Sequence, residues 1–283
     1  MSSNEPQIGG GVYTEYWGLT TPPFENVPDP RFYFPSSQHE EGLHRLLYTV
    51  TQRKGAAMLT GEVGCGKTLL SREFLNNLHS DRYNVAMITN PSFPAQQFFH
   101  EVLYQFGIES TGTRKVSMLH RFNEHLLQND ERKIQSVLVV DEAQTIVDDQ
   151  VLEELRLLLN FQRNDRFLLT LVLLGQPELR EKLWALPQFA QRIGIQYHLM
   201  PLEDAEVERY VTFRLRAAGR SDELFDEEAL RLIGECSKGI PRVINNLCDL
   251  CLLSGCLAKA TRIDADLVHM VARNGYFATV AHG

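Results

Sequence analysis

Residues 61–68 read Gly-Glu-Val-Gly-Cys-Gly-Lys-Thr, which fits the spacing G-x-x-x-x-G-K-[ST] at every fixed position. Glycines let a loop curl so that successive backbone N–H groups point at phosphate oxygens, and a following helix start adds positive partial charge. In such a loop the ammonium of Lys67 contacts the β- and γ-phosphates, and the hydroxyl of Thr68 ligates Mg²⁺. The predicted phosphate site consists of Gly61, Glu62, Val63, Gly64, Cys65, Gly66, Lys67, Thr68 and Leu69.

A second chemical signal is a pair of carboxylates, Asp141 and Glu142, directly after the apolar run Val137–Val140. A buried parallel strand carries the residues at its carboxyl end to the ligand-binding edge of a sheet. There we expect Asp141 to hold the Mg²⁺ shell through water, and Glu142 to act as general base on the attacking water. Alone, the pattern is equally typical of a strand that runs into a solvated loop. Together with the phosphate loop, it favours a site for phosphoryl transfer.

Three further polar residues stand where they suit nucleotide chemistry. Gln176, after the apolar run Leu168–Leu174, is expected to hydrogen-bond the γ-phosphate or the attacking water; otherwise it is a turn residue. Arg192 is expected at the domain rim, where it would stabilise transition-state charge in a neighbouring copy; the alternative is a surface ion pair. Arg242, directly after Pro241, is expected to fold back onto the γ-phosphate; the alternative is a solvated first-turn arginine.

The hydrophobic pattern predicts the elements that must position these residues. Up to residue 200, continuous apolar runs alternate with helical patterns, which indicates a parallel sheet covered on both faces. The predicted strands are Ala56–Thr60, Asn84–Thr89, Gln135–Asp141, Leu168–Leu174 and Tyr197–Leu199. The first predicted helix begins near Ser37. The next predicted helices cover Thr68–Leu78, Ala95–Phe106, Val116–Gln128 and Asp149–Phe161. From Glu203 onward only helices are predicted, over Asp204–Ala218, Asp226–Ser237, Pro241–Leu257 and Asp264–Asn274.

This pattern divides the chain into four parts. Residues 1–12 are polar and glycine-rich, which is typical of a loose tail. Residues 13–200 are predicted to form an α/β nucleotide-binding domain, with an aromatic- and proline-rich arm over residues 13–38 that packs on a domain surface. Residues 201–275 are predicted to form a small all-helical domain, and residues 276–283 a second tail.

Composition limits the class of protein. The 283 residues are 43% hydrophobic and 23% charged, which is ordinary globular composition. The net charge of −8 excludes a chain that is strongly basic overall, although a local basic patch for nucleic acid stays open. Five cysteines, an odd number with four of them between residues 236 and 256, do not form the pattern of a secreted disulfide framework. The chain shows neither a signal-peptide pattern nor an apolar stretch of membrane length, so we expect it in the cytoplasm.

The order of motifs resembles that of AAA+ ATPases, and more narrowly that of the ExeA/GspA family of general secretion pathway protein A ATPases. The resemblance spans residues 13–250, most of the chain. It is carried by the arm Tyr16-Trp17-Gly18-Leu19…Pro23-Phe24…Pro28-Asp29-Pro30…Phe34 with His39 and Glu40, the loop GEVGCGKT, the strand VLVVDEAQ, and the segments LLGQPEL, QRI and GIPRVINNLCD.

This resemblance implies an α/β P-loop NTPase fold of the AAA+ type, with a five-stranded parallel sheet of order 5-1-4-3-2 and a small all-helical lid. It implies ATP and Mg²⁺ as ligands, and it suggests that Val27 to His39 help to form the adenine pocket. It makes Arg192 the arginine finger, and it places Pro241 and Arg242 at the sensor 2 position. It also implies a homo-oligomer assembled head to tail, as a ring or a helical filament.

Two biological roles stay open at this point. The first is a cytoplasmic ATPase, peripheral to the inner membrane through partners, that drives or regulates a bacterial envelope secretion or pilus machine. The second is an ATP-dependent regulator that binds duplex DNA and selects targets for a Tn7-like or Mu-like transposon. Arg114 and Lys115, in the segment Thr111–Val116, suit DNA contacts, but a solvated loop explains them as well. A nucleotide-gated adaptor with weak hydrolysis is disfavoured by the complete set of catalytic residue types.

Overall fold

The computed structural model describes residues 13–109 and 114–274, so the two predicted tails lie outside the described residues. Those residues form two units. The α/β unit contains residues 37–63 and 67–200. The helical unit contains residues 13–36, 64–66 and 201–274.

The α/β unit is built on one parallel sheet of five strands in the order β2-β3-β4-β1-β5. This confirms the predicted order, which is the same order counted from the other edge. The strands are β1 (Ala56–Gly61), β2 (Tyr83–Ile88), β3 (Gln135–Val140), β4 (Leu169–Gly175) and β5 (Ile193–Leu199). Thr60 of β1 pairs with Gly175 of β4, and Val140 of β3 pairs with Leu173 of β4. The register therefore brings the carboxyl ends of the three central strands to a common edge.

Burial explains which strands the sequence predicted well. Strands β1 and β4 are buried along their whole length, and both read as continuous apolar runs. Strand β5 lies at the edge of the sheet, and its exposure alternates along the chain. Because Gly194, Gln196 and His198 interrupt its apolar residues, the sequence predicted only the last part of this strand, Tyr197–Leu199.

Helices cover the sheet and bury its side chains. In the α/β unit they are α1 (Ser37–Thr51), α2 (Lys67–Asn76), α3 (Ala95–Gln105), α4 (Lys115–Glu131), α5 (Asp149–Leu158), α6 (Glu178–Trp184) and α7 (Pro187–Ala190). Phe99 of α3 and Phe122 of α4 are buried, and their ring centroids lie 6.0 Å apart in an edge-to-face arrangement. Helices α6 and α7 were not predicted, because each is too short for a helical repeat to show.

The helical unit has its own apolar core, made by four helices and by the arm. The helices are α8 (Asp204–Ala217), α9 (Glu227–Ser237), α10 (Pro241–Leu257) and α11 (Ala265–Asn274). The carboxylate of Asp226 accepts a hydrogen bond from the N–H of Ala229, which caps α9. Across residues 13–109 and 114–274, none of the helices combines the length and the apolar character that a membrane crossing requires.

The arm departs from the predicted division of the chain. The sequence assigned it to the α/β domain, whereas residues 13–36 belong to the helical unit. The indole N–H of Trp17 donates to the carbonyl of Leu252 at 2.8 Å, and the guanidinium of Arg214 lies 4.8 Å from the ring centre of Phe32. The physical reason is that the arm supplies large buried aromatic side chains to a core that the short helices share.

Candidate functional site

The phosphate loop connects β1 to α2, as the motif requires. Gly64 and Gly66 have φ angles of +89° and +95°, a region in which side chains with a Cβ are strained. Lys67 opens α2 and is 6% exposed. Its ammonium donates hydrogen bonds to the carbonyl oxygens of Gly61 at 2.7 Å and Glu62 at 2.9 Å. The lysine is therefore held in the concave side of its own loop.

The middle of the loop, Gly64–Gly66, groups with the helical unit. There the backbone N–H of Arg242 donates to the carbonyl of Gly64 at 3.2 Å. A Cβ at Gly64 would lie 2.7 Å from the Cβ of Arg242, so close approach as well as backbone conformation requires glycine. Pro241 is buried in the first turn of α10, while the side chain of Arg242 is exposed. The hydrogen bond from Arg242 to the loop thus comes from its backbone N–H, while its Cβ packs close to Gly64.

The remaining predicted loop residues differ in exposure. Thr68 is exposed in the first turn of α2, so its hydroxyl is accessible to a ligand. Glu62 and Val63 are exposed, Leu69 is half-buried, and Cys65 is fully buried. Burial of Cys65 indicates that this variable position contributes packing through its side chain.

The two predicted carboxylates follow β3 at the carboxyl edge of the sheet. Asp141 is 4% exposed, and one of its oxygens accepts a hydrogen bond from the N–H of Glu142 at 2.8 Å. Burial raises the pKa of Asp141, and the charge of Glu142 adds to this effect, while the N–H of Glu142 and the charge of Lys67 oppose it. A buried carboxylate whose charged form is disfavoured in this way fits a cation site, because a bound cation would reverse the penalty.

The donor chemistry at this edge suits Mg²⁺. Asp141 supplies carboxylate oxygens and Thr68 a hydroxyl oxygen, and Mg²⁺ prefers hard oxygen ligands and phosphate oxygens. These two residues would hold the ion together with the phosphates of a nucleotide. Among residues 13–109 and 114–274, no cluster of three His, Cys, Asp or Glu side chains forms a metal site by itself.

Gln176 reaches the same edge from the neighbouring strand, since it directly follows β4. The parallel register between β3 and β4 places it beside the segment that begins with Asp141. The backbone N–H of Gln176 donates to the side-chain carbonyl of Gln144 at 3.0 Å, and the side-chain amide of Gln144 donates to a carboxylate oxygen of Glu142. Glu142 itself has left-handed backbone angles, φ 52° and ψ 35°, which are uncommon for a residue with a Cβ.

Arg192 lies where the strands of the sheet begin, opposite the edge at which they end. It directly precedes β5, which runs parallel to β1. Its guanidinium donates to the side-chain oxygen of Asn160 at 3.1 Å, a neutral amide rather than the carboxylate of an ion pair. The structure thus separates Arg192 from the loop and carboxylates of its own α/β unit. This position is compatible with the prediction that it acts on a neighbouring copy, which stays a prediction.

Two other predictions concern residues that the structure places in different units. Val27 belongs to the arm in the helical unit and is 68% exposed. His39 is buried in α1 of the α/β unit. Their assignment to an adenine pocket stays a prediction. In the proposed DNA-contacting segment, residues 111–113 lie outside the described residues, and Lys115 forms an ion pair with Glu154.

The sequence missed two residues that the structure brings into the site. Gln144 entered the sequence pattern only as the last residue of VLVVDEAQ, although its position two residues after Glu142, the predicted general base, was a usable signal. Lys182 of α6 gave no signal, because α6 was not predicted. Its ammonium donates to the carbonyls of Gln144 and Ile146.

Comparison with known proteins agrees with this geometry. The AAA domain family matches residues 50–183. The chain is 39% identical over 246 residues to general secretion pathway protein A of Aeromonas hydrophila. The alignment covers 86% of this chain and 45% of that relative, so the chain spans about half of the relative's length.

Solved structures with similar folds have much lower sequence identity. One is the Aeropyrum pernix ORC2 protein in ADPNP–ADP complexes, with a TM-score of 0.63, 16% identity, and coverage of 89% of this chain and 71% of that one. Another is Drosophila ORC bound to DNA, with a TM-score of 0.68, 15% identity, and coverage of 99% and 70%. At this identity the likeness shows a shared fold.

Proposed function

We propose, on the premise that this chain is an AAA+ protein related to general secretion pathway protein A, that it is a Mg²⁺-dependent ATPase. Its nucleotide state would control self-assembly, and hydrolysis would drive or regulate a bacterial envelope secretion or pilus machine. One observation carries the proposal. The start of the phosphate loop, the Asp141–Glu142 pair and Gln176 meet at a common edge of the sheet, although they are far apart in sequence.

Each group at that edge has a role in the proposed reaction. Lys67 and the backbone N–H groups of the loop bind the β- and γ-phosphates. Thr68 and Asp141 hold Mg²⁺, which when bound supplies positive charge against the triphosphate. Glu142 accepts a proton from the water whose oxygen attacks the γ-phosphorus, while the bond to the β–γ bridging oxygen breaks. Gln176 orients the γ-phosphate or that water. The products are ADP and phosphate.

Two arginines extend the proposal beyond the residues at that edge. Arg192, at the edge away from its own loop, would enter the site of a neighbouring copy as an arginine finger. Such an arrangement requires head-to-tail contacts, which form rings or helical filaments. Arg242 would contact the γ-phosphate as sensor 2, with Pro241 placing the first turn of its helix, and Val27 and His39 would contribute to adenine binding.

Substitution of Glu142 by Gln tests the enzymatic part. The amide keeps the size and polarity of the side chain but cannot accept the proton, so steady-state turnover should fall about 100- to 1,000-fold while ATP still binds. ATP hydrolysis is followed by phosphate release, and binding by calorimetry with Mg²⁺. Glu131→Gln, an exposed glutamate at the end of α4, is the matched control and should keep full turnover. Wild-type protein that binds ATP without hydrolysing it would contradict the proposal.

The client is proposed on the 39% identity to general secretion pathway protein A, which favours a role at the cytoplasmic side of an envelope machine. The competing role in transposition is tested by DNA binding. Under the secretion proposal, a duplex oligonucleotide should show no ATP-dependent, salt-sensitive mobility shift, even at low salt. A shift that requires ATP would support the DNA-binding role instead.

A further inference from the structure

A glutamine side chain connects Glu142, the proposed general base, to Gln176 at the tip of β4. The amide nitrogen of Gln144 donates to a carboxylate oxygen of Glu142, and its amide oxygen accepts from the backbone N–H of Gln176 at 3.0 Å. The two bonded residues come from different strands, since Glu142 follows β3 and Gln176 follows β4. Gln144 is half-buried, so solvent reaches this link only in part.

The chemistry of the carboxamide permits one orientation at this position. The amide oxygen can only accept, and the amide NH₂ can only donate. If the group were rotated by half a turn, the NH₂ would face the N–H of Gln176, and the oxygen would face the carboxylate of Glu142. Both contacts would then be repulsive. Glu142 and Gln176 therefore determine the observed orientation of the amide. Because both bonds use the same side chain, a displacement of one of these residues changes the hydrogen bond to the other.

The backbone around Gln144 is held by other contacts. The ammonium of Lys182 donates to the carbonyl oxygens of Gln144 and, at 2.9 Å, of Ile146. Gly175 at the end of β4 leaves space for the side chain of Gln144. A Cβ at this position would lie only 2.7 Å from the amide oxygen of Gln144. The hydrogen bonds from Lys182 thus hold the backbone of this segment, so the side chain of Gln144 is not needed to hold it.

We propose that Gln144 is a positioning residue that transmits the position of the β4 tip at Gln176 to the carboxylate of Glu142, so that the base is aligned only when the tip is in place. The inference rests on the proposed ATPase function and names a regulatory link within that site. Gln144 acts through Glu142 and does not need to touch the nucleotide.

Two substitutions separate the halves of this link. Gln144→Met has a similar length and loses both hydrogen bonds, while Gln144→Glu keeps the acceptor for Gln176 but cannot donate to Glu142 and adds a like charge. We expect kcat to fall at least about 10-fold in both variants, as for loss of a hydrogen bond to a charged group. We expect the Kd for ATP to stay within about 2-fold, since the phosphate loop is untouched. Gln150→Met, on the exposed first turn of α5, is the matched control and should behave as wild type.

A double-mutant cycle with Glu142→Gln distinguishes positioning from general structural damage. If Gln144 acts through Glu142, adding Gln144→Met to Glu142→Gln should lower the single-turnover rate by less than about 2-fold. A structural effect would instead multiply the two losses and would change the Kd. Unchanged kcat in Gln144→Met, full kcat in Gln144→Glu, or multiplicative losses would each overturn the inference.

The failure of this inference is distinguishable from that of the proposed function. If the wild-type protein does not hydrolyse ATP, the proposed function fails, and this inference fails with it. If Glu142→Gln loses turnover while Gln144→Met retains it, the ATPase proposal stands and only the link through Gln144 is wrong.

Discussion

Strand β3 of the α/β unit runs between two aspartates, Asp130 in the helix before it and Asp141 directly after it, and the two are in opposite electrostatic situations. Both are at least nine-tenths buried. Burial alone would raise the pKa of Asp130, but hydrogen bonds from Arg166, Arg53 and Arg163 lower it well below its usual range. Burial raises the pKa of Asp141, and the nearby positive charge of Lys67 does not offset it. The same residue type, equally buried, is stabilised as an anion at one end and destabilised at the other.

The geometry around Asp130 accounts for the difference. One of its oxygens accepts from Arg53 at 2.8 Å and Arg166 at 3.1 Å, and the other from Arg163 at 2.7 Å and again from Arg166 at 3.1 Å. These contacts join the segment before β1 and the segment before β4 to the end of α4. We interpret the amino edge of the sheet as an anchor for the fold, and the carboxyl edge as a site whose charge a ligand must compensate.

The largest expected effect is on nucleotide binding. It is tested by two lysine substitutions, one in the segment before β1 and one after the loop that follows β1. Lys67→Ala removes the ammonium that we propose to contact the phosphates, so the Kd for ATP should rise at least about 100-fold. Lys54→Ala removes an exposed ammonium just before β1 and should leave the Kd unchanged. Calorimetric titration with Mg²⁺ and ATP measures both. Equal effects of the two substitutions would break the functional distinction between the two edges.

The next effect is on stability and concerns Asp130. Asp130→Asn removes the shared acceptor of three guanidinium groups, and we expect it to lower the free energy of unfolding by about 2–3 kcal/mol. That range allows for the partial exposure of Arg163 and Arg166, which can turn toward water. Urea unfolding followed by circular dichroism gives the difference. The Kd for ATP should not change, and a variant as stable as wild type would show that the arginine cluster contributes nothing to the fold.

The pH dependence sharpens the same point. A folded-state pKa below the unfolded value of about 3.9 gives stability that is present at neutral pH and is lost as the pH falls below that value. The stability difference between wild type and Asp130→Asn should therefore be full at pH 7 and shrink by about 1 kcal/mol on going to pH ~3. Thermal unfolding at both pH values measures it. A constant difference would mean that the charge of Asp130 is not the source of its stabilisation.

The smallest stability effect is expected at Asp141. Asp141→Asn removes a buried charge that lacks full compensation, so without Mg²⁺ and nucleotide the free energy of unfolding should change by no more than about 1 kcal/mol, toward greater stability. Mg²⁺-dependent turnover should nevertheless be lost, because the amide no longer carries the negative charge that we propose to hold the ion. If Asp141→Asn destabilised the protein as much as Asp130→Asn, the contrast between the two carboxylates would be wrong.

Much of the site could be predicted because its signals are local. The loop over residues 61–68 needs a strand before it and a helix after it, and all three lie within residues 56–76. Asp141 and Glu142 end a continuous apolar run, so their place at a sheet edge follows from the direction of the strand. The strand order came from the resemblance of the motifs to a known family, and the structure confirms it.

The sequence alone therefore indicated the candidate chemistry-bearing residues and the strands that carry them, while the order of the sheet came from the resemblance to a known family. Only the tertiary structure revealed the link from Gln144 to Gln176, the three arginines around Asp130, and the arm within the helical core. These contacts join residues that are 32 to 77 positions apart at Gln144 and Asp130, and more than 200 apart between Trp17 and Leu252. The period of the hydrophobic residues in a sequence indicates which face of a helix or strand is buried. It does not report which side chain from a distant element will meet it there, because packing of the whole chain decides that.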